Sequence, residues 1–397
     1  MSRRSLTVAL VAVVVTAALT QAYCSTALSK FESVISAFRS LSEKVGKLGS
    51  ILGARLRRSM FSRNVAFGEP PEDLVGTTRE VYIDLLVEWL DQAEVYWNGS
   101  TYISPRTGKE VSQRALAGFI TAYTLLWIDT GEERFRERAE LLADRLVSQQ
   151  AEDGSWVEIG YRVPKKSTLT TGLALQALSI AYIELEEKPG WRRSIEMAAD
   201  YIVSQLTPDG WIRKYPDQDF GVYNPNALCL AGLVLASRIT GNETYAQVAA
   251  SVAHKIVDDQ LEDGGWTYGT VYDWTSAGYQ TMVLRGLADY YKLTGDSYAL
   301  DALVKGADWL FSRLGEDLRF HDEEETPLWA RESAVHHAWA AAVFEYLGMR
   351  DRAEVCLKSL IEVHNYAPTP KRHAAPIEAL AQIAECFTTI YYVPSPW

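Results

Sequence analysis

Gln260-Leu-Glu-Asp-Gly-Gly-Trp266 joins two stretches of opposite character. The stretch before it, 243–260, carries charges beside an apolar stripe, whereas the stretch after it, 274–293, is rich in small and apolar residues. A helix that is apolar all round must be buried, while a striped helix faces water on one side. This part of the sequence therefore predicts a hairpin of one outer and one inner helix, with a tight Asp-Gly turn in the loop between them.

The same alternation occurs six times. Six outer segments are charged and amphipathic: Thr78–Val95, Glu132–Gln149, Trp191–Gln205, Glu243–Gln260, Ser297–Leu314 and Arg350–His364. Six inner segments are mostly uncharged and rich in small residues: Val111–Trp127, Thr168–Ile183, Pro225–Ile239, Trp274–Leu293, Glu332–Leu347 and Ala374–Tyr391. We therefore predict an all-α fold, an (α/α)6 toroid of six helical hairpins, over residues 78–397.

The two kinds of connection differ in length. Inner-to-outer turns are short and contain glycines suited to a helix C-terminus, such as Gly131, Gly241 and Gly295. Outer-to-inner connections are mostly nine residues or longer and hold much of the non-helical Trp, Tyr, Asp and His. Because long loops on a rigid scaffold commonly carry function, we expect the site at the N-terminal ends of the inner helices.

The N-terminal part has a different composition from the body. Residues 1–23 contain Arg3 and Arg4 before an apolar run, and we interpret them as a signal peptide or a membrane anchor. Residues 24–63 are basic with an apolar stripe, which predicts an amphipathic helix on a membrane or, alternatively, a self-associating or body-packed helix. Residues 64–77 are interpreted as a linker. The predicted location of the body is extracytoplasmic, either secreted or membrane-anchored.

Charge excludes one class of partner. The chain of 397 residues has a net charge of −12, and residues 1–63 contribute ten basic and two acidic side chains, which leaves −20 for the remainder. Such an acidic body repels nucleic acid. Four cysteines without a CxxC pair predict neither a disulfide framework nor a zinc site, and we predict no metal and no cofactor.

Three loops share a Gln…Gly…Trp pattern, in Gln150–Trp156, Gln205–Trp211 and Gln260–Trp266. This pattern resembles the QW repeat of squalene-hopene-type cyclases and protein prenyltransferase β subunits. Similar Asp-Gly-Trp loops, followed by helices that end in Thr-Gly-Asp, occur in six-hairpin carbohydrate enzymes: glycosidases, uronate lyases and sugar epimerases. The resemblance to this α/α-toroid superfamily covers roughly 78–391 and implies the fold, with the three Trp residues in structural roles.

The chain departs from the catalytic motifs of these families. The cyclases use Asp-x-Asp-Asp as proton donor, whereas the nearest stretch here, Asp217-Gln-Asp219-Phe, lacks the paired second aspartate. The prenyltransferases bind zinc through an Asp-x-Cys pair, and no cysteine here has Asp two residues before it. Uronate lyases often use an adjacent Asn-His with Tyr and Arg, and this Asn-His pair is missing from the sequence.

Candidate site residues lie just before or inside the inner segments. The predicted catalytic residues are acids, bases and a phenol: Asp219, Asp273, Glu332, His336 and Tyr279. The predicted substrate-binding residues are aromatic, amide or cationic: Tyr223, Asn224, Trp274, Gln280, Arg285, Trp329 and Arg331. Asn224 before Pro225 also predicts the N-cap of an inner helix.

Two chemistries fit these residues. Facing carboxylates suit glycoside hydrolysis, with one acid and one base or nucleophile. Alternatively, His336 or His337 takes the proton next to a uronate carboxylate, with Tyr279 or Tyr223 assisting and Arg331 or Arg285 holding the carboxylate.

Three functions remain open. The leading hypothesis is a carbohydrate-active enzyme (a glycoside hydrolase, uronate lyase or sugar epimerase) that acts on a polysaccharide at the loop face. The second is a terpenoid cyclase or prenyltransferase-like enzyme with an isoprenoid substrate, and the third is a non-catalytic toroid that binds glycans or a protein. A dry aromatic cavity favours an isoprenoid, and an open polar cleft favours a sugar.

Overall fold

The computed structural model describes residues 93–104, 107–158, 164–322, 326–327, 333–362 and 376–390, together with residues 83, 86, 87, 90, 91 and 392. The predicted leader, basic segment and linker, 1–77, lie outside these residues. Among the residues described, no helix combines the length and the apolar character that crossing a membrane requires.

Eleven α-helices with full bounds make up most of the described chain. They are α1 (Gln113–Thr130), α2 (Glu133–Ser148), α3 (Thr168–Glu184), α4 (Pro189–Ser204), α5 (Tyr223–Thr240), α6 (Glu243–Asp258), α7 (Ala277–Thr294), α8 (Ser297–Ser312), α9 (Ala334–Tyr346), α10 (Arg350–Glu362) and α11 (Pro376–Thr389). Strands β1 (Val157–Glu158) and β2 (Lys165–Lys166) form an antiparallel pair in the loop between α2 and α3. A short 3-10 helix, Glu94–Tyr96, precedes α1.

The odd-numbered helices form an inner ring. Each packs against the next, from α1 to α11, and α11 returns to pack against α1. Each even-numbered helix packs outside, against the inner helix that precedes it. Helical residues between 83 and 93 come before the first inner helix. The closed ring confirms the predicted α/α toroid.

Burial follows the two predicted helix types. In α3, every residue from Thr168 to Tyr182 is buried. In α2 the buried residues are Phe135, Ala139, Leu142, Ala143 and Leu146, spaced three or four apart, so one stripe faces the inner ring. This contrast fixes which helix of each hairpin lies inside.

Local signals set the ends of the helices. Gly131, Gly241 and Gly295 adopt left-handed φ values of 70°, 80° and 68° immediately after α1, α5 and α7, as predicted for these turns. At the other end, the Ser112 and Ser167 side chains accept hydrogen bonds from the first-turn amides of α1 and α3.

Two of the three Gln…Trp loops connect neighbouring outer helices. Gln260 Nε2 donates to Gly264 O within its own loop (2.9 Å) and to Ala302 O of α8 (2.8 Å). Gln150 Nε2 makes the equivalent pair of bonds to Gly154 O and to Ser194 O of α4. Because these bonds cross from one hairpin to the next, the amides hold adjacent hairpins in register around the ring.

The indoles of these two loops are structural as well. Trp156 and Trp266 are buried, and their Nε1 atoms donate to the carbonyls of Leu146 and Ile256. The middle loop differs, since Gln205 donates to Ser204 Oγ instead of the next outer helix. Trp211 packs beside Tyr223 and under Lys255.

Charged side chains fill the axis of the ring. Arg285 donates from Nε to Asp289 Oδ2 (2.6 Å) and from Nη2 to Glu385 Oε1 (3.3 Å), and all three are almost fully buried. Gln176 and Lys292 also bond to Asp289. Burial raises the pKa of Asp289, but the charges of Arg285 and Lys292 outweigh it and hold this pKa below its ordinary value. The axis is therefore a packed ion-pair network.

Candidate functional site

The outer-to-inner loops are hydrogen bonded to one another at the N-terminal ends of the inner helices. Thr168 N donates to Lys214 O (3.0 Å), which links the start of α3 to the loop before α5. Val222 and Gly269 form a bridge between the loops before α5 and α7. Ala277 N donates to Asp322 Oδ1 (2.7 Å), which links the start of α7 to the loop before α9. Val157 N, in the loop before α3, donates to Gln113 Oε1 (2.8 Å), so the start of α1 belongs to the same rim.

Arg114 lies in this rim, in the first turn of α1. Its side chain is partly exposed, but Nε and Nη2 are buried and have no hydrogen-bond partner among the described residues. The guanidinium lies 5.7 Å from the ring centre of Trp339. Burial lowers the pKa of Arg114, and the charges of Glu158 and Glu385 partly offset this effect. Two buried N–H-bearing atoms are thus left for an anion.

A second cation, Lys214, lies in the loop between α4 and α5. It is buried, with Nζ 3.9 Å from Glu158 Oε2. Burial lowers the pKa of Lys214, Glu158 opposes this shift, and the charge of Arg114 adds to it. Glu158 is held by Tyr215, whose hydroxyl donates to Oε2 at 2.9 Å. The charge of Glu158 thus acts on both cations, and Arg114 also experiences the charges of Glu385 and Glu378.

His336 lies in the first turn of α9. A Cβ added at Gly278 of α7 would collide with the imidazole and fall 2.5 Å from Nδ1, so the ring lies directly against this glycine. Ser333 N donates to the same Nδ1 at 3.0 Å. Tyr279 follows Gly278, and it interacts electrostatically with Arg114. The imidazole thus lies against the first turn of α7, the turn that also carries Tyr279.

An aromatic wall continues from Tyr279. Tyr268 stacks on Trp274 with ring centres 4.7 Å apart, and Tyr279 lies 4.7 Å from Tyr268. Tyr272 packs edge-on against the same two rings, and Phe220 packs against Tyr272. We call these five residues (Phe220, Tyr268, Tyr272, Trp274 and Tyr279) the aromatic wall. The wall is mostly apolar and ends at Tyr279. Flat aromatic faces of this kind suit the apolar faces of sugar rings.

Two of the predicted catalytic carboxylates, Asp219 and Asp273, belong to the described residues. Both are exposed at the surface. Ser276, and not Asp273, caps α7, since its hydroxyl accepts from Tyr279 N. Of the predicted catalytic residues, His336 lies against the turn of α7 that carries Tyr279, and Tyr279 lies in the aromatic wall with Trp274 of the predicted binding set.

Gln280 is bonded to its own loop. Its Oε1 accepts from Trp266 N (3.2 Å) and its Nε2 donates to Gly264 O (3.4 Å). Thr171 and Asn226 accept from Trp156 N and Ile212 N in the same way, each from the first turn of an inner helix. Because this tether repeats in three hairpins, we assign Gln280 to the scaffold and no longer to substrate binding.

Tyr223 and Asn224 are also buried. Helix α5 begins at Tyr223 with Val222 as N-cap, so Asn224 lies inside the first turn and the predicted N-cap is wrong by two residues. Asn224 Nδ2 contacts Met282 Sδ at 3.3 Å. Tyr223 donates its hydroxyl to Asp259 Oδ2 at 2.9 Å, and burial raises its pKa. The first contact joins α5 to α7, and the second joins α5 to the end of α6.

Arg285 is not at the loop face. It lies in the axial network, 3% exposed and paired with Asp289 and Glu385, so it is not accessible to a polysaccharide. Three further predicted residues, Trp329, Arg331 and Glu332, lie outside the described residues. Within the described part of the chain, no three His, Cys, Asp or Glu side chains cluster in a way that could hold a metal ion.

Three residues of the rim were not predicted from the sequence: Arg114, Glu158 and Lys214. Arg114 could have been predicted, because it is the one basic residue in α1, an inner helix that is mostly apolar. Glu158 and Lys214 could not, since they lie in loops whose contacts depend on the folded ring.

A family model described as the ulvan lyase N-terminal domain matches residues 109–310. No curated protein matches the chain. Several solved structures resemble it in fold. Cellobiose 2-epimerase from Bacillus thermoamylovorans B4167 has a TM-score of 0.61 and 12% identity over 79% of this chain and 99% of that one. A heparin-specific unsaturated glucuronyl hydrolase has 0.60 and 15%, over 78% and 96%. The GH76A α-1,6-mannanase from Salegentibacter sp. HEL1_6 has 0.60 and 12%, over 77% and 98%.

Proposed function

The chain belongs to the ulvan lyase N-terminal domain family of carbohydrate-active α/α toroids, and from this premise we propose that it is a lyase that cleaves a uronate-containing polysaccharide by β-elimination. The substrate binds along the rim, with a uronate carboxylate at Arg114 and Lys214. The neighbouring sugar lies on the aromatic wall.

The observation that carries the proposal is the pair of cations at the rim. Arg114 keeps Nε and Nη2 buried without a hydrogen-bond partner in the described chain, and Lys214 lies buried beside it. An unpaired buried donor costs free energy, roughly 1–3 kcal/mol, until an acceptor arrives. A uronate carboxylate supplies that acceptor with matching charge and planar geometry.

Neutralising the carboxylate is what β-elimination needs. The proton on C5 becomes acidic when negative charge that develops on the carboxylate is stabilised by fixed cations and donors. A base removes this proton, and the C–H electron pair forms the C4–C5 double bond. The C4–O bond to the next sugar breaks, and its oxygen leaves with the electron pair and receives a proton. His336 and Tyr279 supply the acid and base functions.

The other hypotheses have less support. A hydrolase needs two carboxylates flanking the glycosidic bond, and Asp219 and Asp273 are exposed. An isoprenoid enzyme needs a dry cavity, whereas Arg285 and Asp289 fill the axis with charge. A non-catalytic toroid stays as the outcome if no bond cleavage is found.

We also propose export or anchoring of the body, supported by the leader-like residues 1–23, and cell fractionation tests it.

The decisive test incubates the full chain with neutral and uronic-acid polysaccharides and follows both reducing ends and unsaturated-uronate absorbance. We expect both signals with a uronate polymer, and a rise about 10²-fold slower in both for Arg114→Ala. The control is Arg193→Ala, which removes the same charge from an exposed site on α4. New reducing ends without unsaturation would replace the lyase with a hydrolase.

A further inference from the structure

We infer that Ser333 and Gly278 are positioning residues that fix His336 as a hydrogen-bond donor through Nε2–H. The inference rests on the proposed function in one respect: it assigns which of the two acid–base groups removes the proton. It concerns the protonation site of one ring, and that can be observed with or without substrate.

The first observation is the bond at Nδ1. Ser333 N lies 3.0 Å from His336 Nδ1. A backbone N–H is a donor and has no acceptor capacity, so Nδ1 must present its lone pair. A neutral imidazole carries one proton, and with Nδ1 as acceptor this proton lies on Nε2. The partner therefore sets the tautomer.

The second observation is the fit against α7. A Cβ at position 278 would collide with the imidazole, falling 2.5 Å from Nδ1 and 3.1 Å from Nε2. These two nitrogens and Cε1 all lie close to the Gly278 backbone, so the ring rests against the helix where a side chain would otherwise project. Any larger residue at 278 must push His336 away from Ser333 N.

The consequence is a division of roles. His336 cannot accept a proton at Nδ1 without breaking its bond to the Ser333 amide, so it is poorly suited to be the base. Its Nε2–H instead donates to a substrate oxygen on which negative charge develops. Removal of the C5 proton then falls to Tyr279, which follows Gly278 in the sequence.

The test is a side-chain NMR spectrum of the full chain labelled with ¹⁵N-histidine. The chain has six histidines, and His336→Gln identifies the signals of this ring. We expect a neutral ring with a protonated Nε2 and an unprotonated Nδ1. An Nδ1–H tautomer, or a charged ring at neutral pH, would overturn the inference.

Substitution of Gly278 tests the positioning. Gly278→Ala should change the His336 spectrum and lower kcat about 10²-fold, the scale for loss of one donor to a developing anion, with a smaller change in KM. Gly190→Ala is the control, because a Cβ there meets open space on α4. An unchanged His336 spectrum in Gly278→Ala would refute the role of this glycine. If no polysaccharide is cleaved, the proposed function fails, while the wild-type spectrum still decides the tautomer.

Discussion

Lys214 Nζ lies 3.9 Å from Glu158 Oε2, and this carboxylate also faces the charge of Arg114. Two buried cations thus lie near one carboxylate at the rim of a chain whose net charge is −12. Glu385 and Glu378 also act on Arg114. We therefore attribute the attraction of an acidic substrate group to the buried Nε and Nη2 atoms of Arg114, which have no hydrogen-bond partner in the described chain, and not to an excess of positive charge.

Arg114 should be the most sensitive position of the rim. We expect Arg114→Ala to lower kcat/KM on a uronate polysaccharide about 10²-fold, the scale found when one donor to a developing anion is removed. Arg114→Lys should recover little of this loss because an ammonium cannot bind a carboxylate through two parallel N–H bonds. Steady-state kinetics decide, with Arg193→Ala as control, and equal activity in Arg114→Ala would disprove the assignment.

Substrate affinity should fall at alkaline pH through Lys214. Burial lowers its pKa from 10.5, and the charged form exists below that lowered pKa. Binding of the uronate should therefore weaken as the pH rises through it, at a lower pH than an ordinary lysine would give. The measurement is KM against pH, and Lys214→Arg should flatten the alkaline rise. If KM rises in the same way in Lys214→Arg, a group other than Lys214 causes the alkaline rise.

The Gln…Trp loops give a prediction on stability. Gln260→Ala removes the donor to Gly264 O and Ala302 O and should lower the free energy of unfolding by about 1–3 kcal/mol. Gln205→Ala is the matched control, since Gln205 bonds to its neighbour Ser204 and should cost less than about 0.5 kcal/mol. Urea titrations compare them, and equal losses would refute the tie between hairpins.

The axial ion pairs give a prediction with a pH dependence. Asp289→Asn leaves Arg285 buried without its closest charge partner and should cost about 3–5 kcal/mol at neutral pH. Because the pKa of folded Asp289 is lowered, its contribution is present above the unfolded value and is lost as the pH falls through the folded value. Wild type should therefore lose more stability in acid than Asp289→Asn does.

Asp301→Asn is the control for this pair, since Asp301 is exposed on α8. Unfolding curves at neutral and acid pH give the comparison. A small loss in Asp289→Asn, equal to that of Asp301→Asn, would show that the network does not stabilise the ring.

The aromatic wall should bind the sugar next to the uronate. Tyr272→Ala removes a partly exposed ring that packs on Tyr268 and Trp274, and we expect KM to rise about 2- to 10-fold, the range for one aromatic contact. Isothermal titration with uronate oligosaccharides of increasing length measures the effect. If the loss is the same for one uronate unit as for long oligosaccharides, the wall does not hold the neighbouring sugar.

The fold could be predicted because its determinants are local. The apolar pattern separates α3 from α2, and Gly131, Gly241 and Gly295 end their helices where the sequence places them. Closure of the ring follows from repeating one hairpin. The role of Trp156 and Trp266 followed from the resemblance of their loops to the QW repeat.

The site was harder to predict because it depends on packing between hairpins. His336 and Tyr279 were found since both lie at the start of an inner helix. Gln280 stood out as a polar residue in a buried helix, but its bond to Trp266 N depends on the loop conformation, which no periodicity gives. Glu158 and Lys214 come together through the link between two loops.

The central claim is that this rim performs β-elimination at a uronate held by Arg114. The most direct measurement follows unsaturated-uronate absorbance while the full chain acts on uronic-acid polysaccharides, with wild type and Arg114→Ala side by side. We expect absorbance to rise together with new reducing ends for wild type, and to rise about 10²-fold more slowly for Arg114→Ala. New reducing ends without a rise in absorbance, or equal rates in the two proteins, would contradict it.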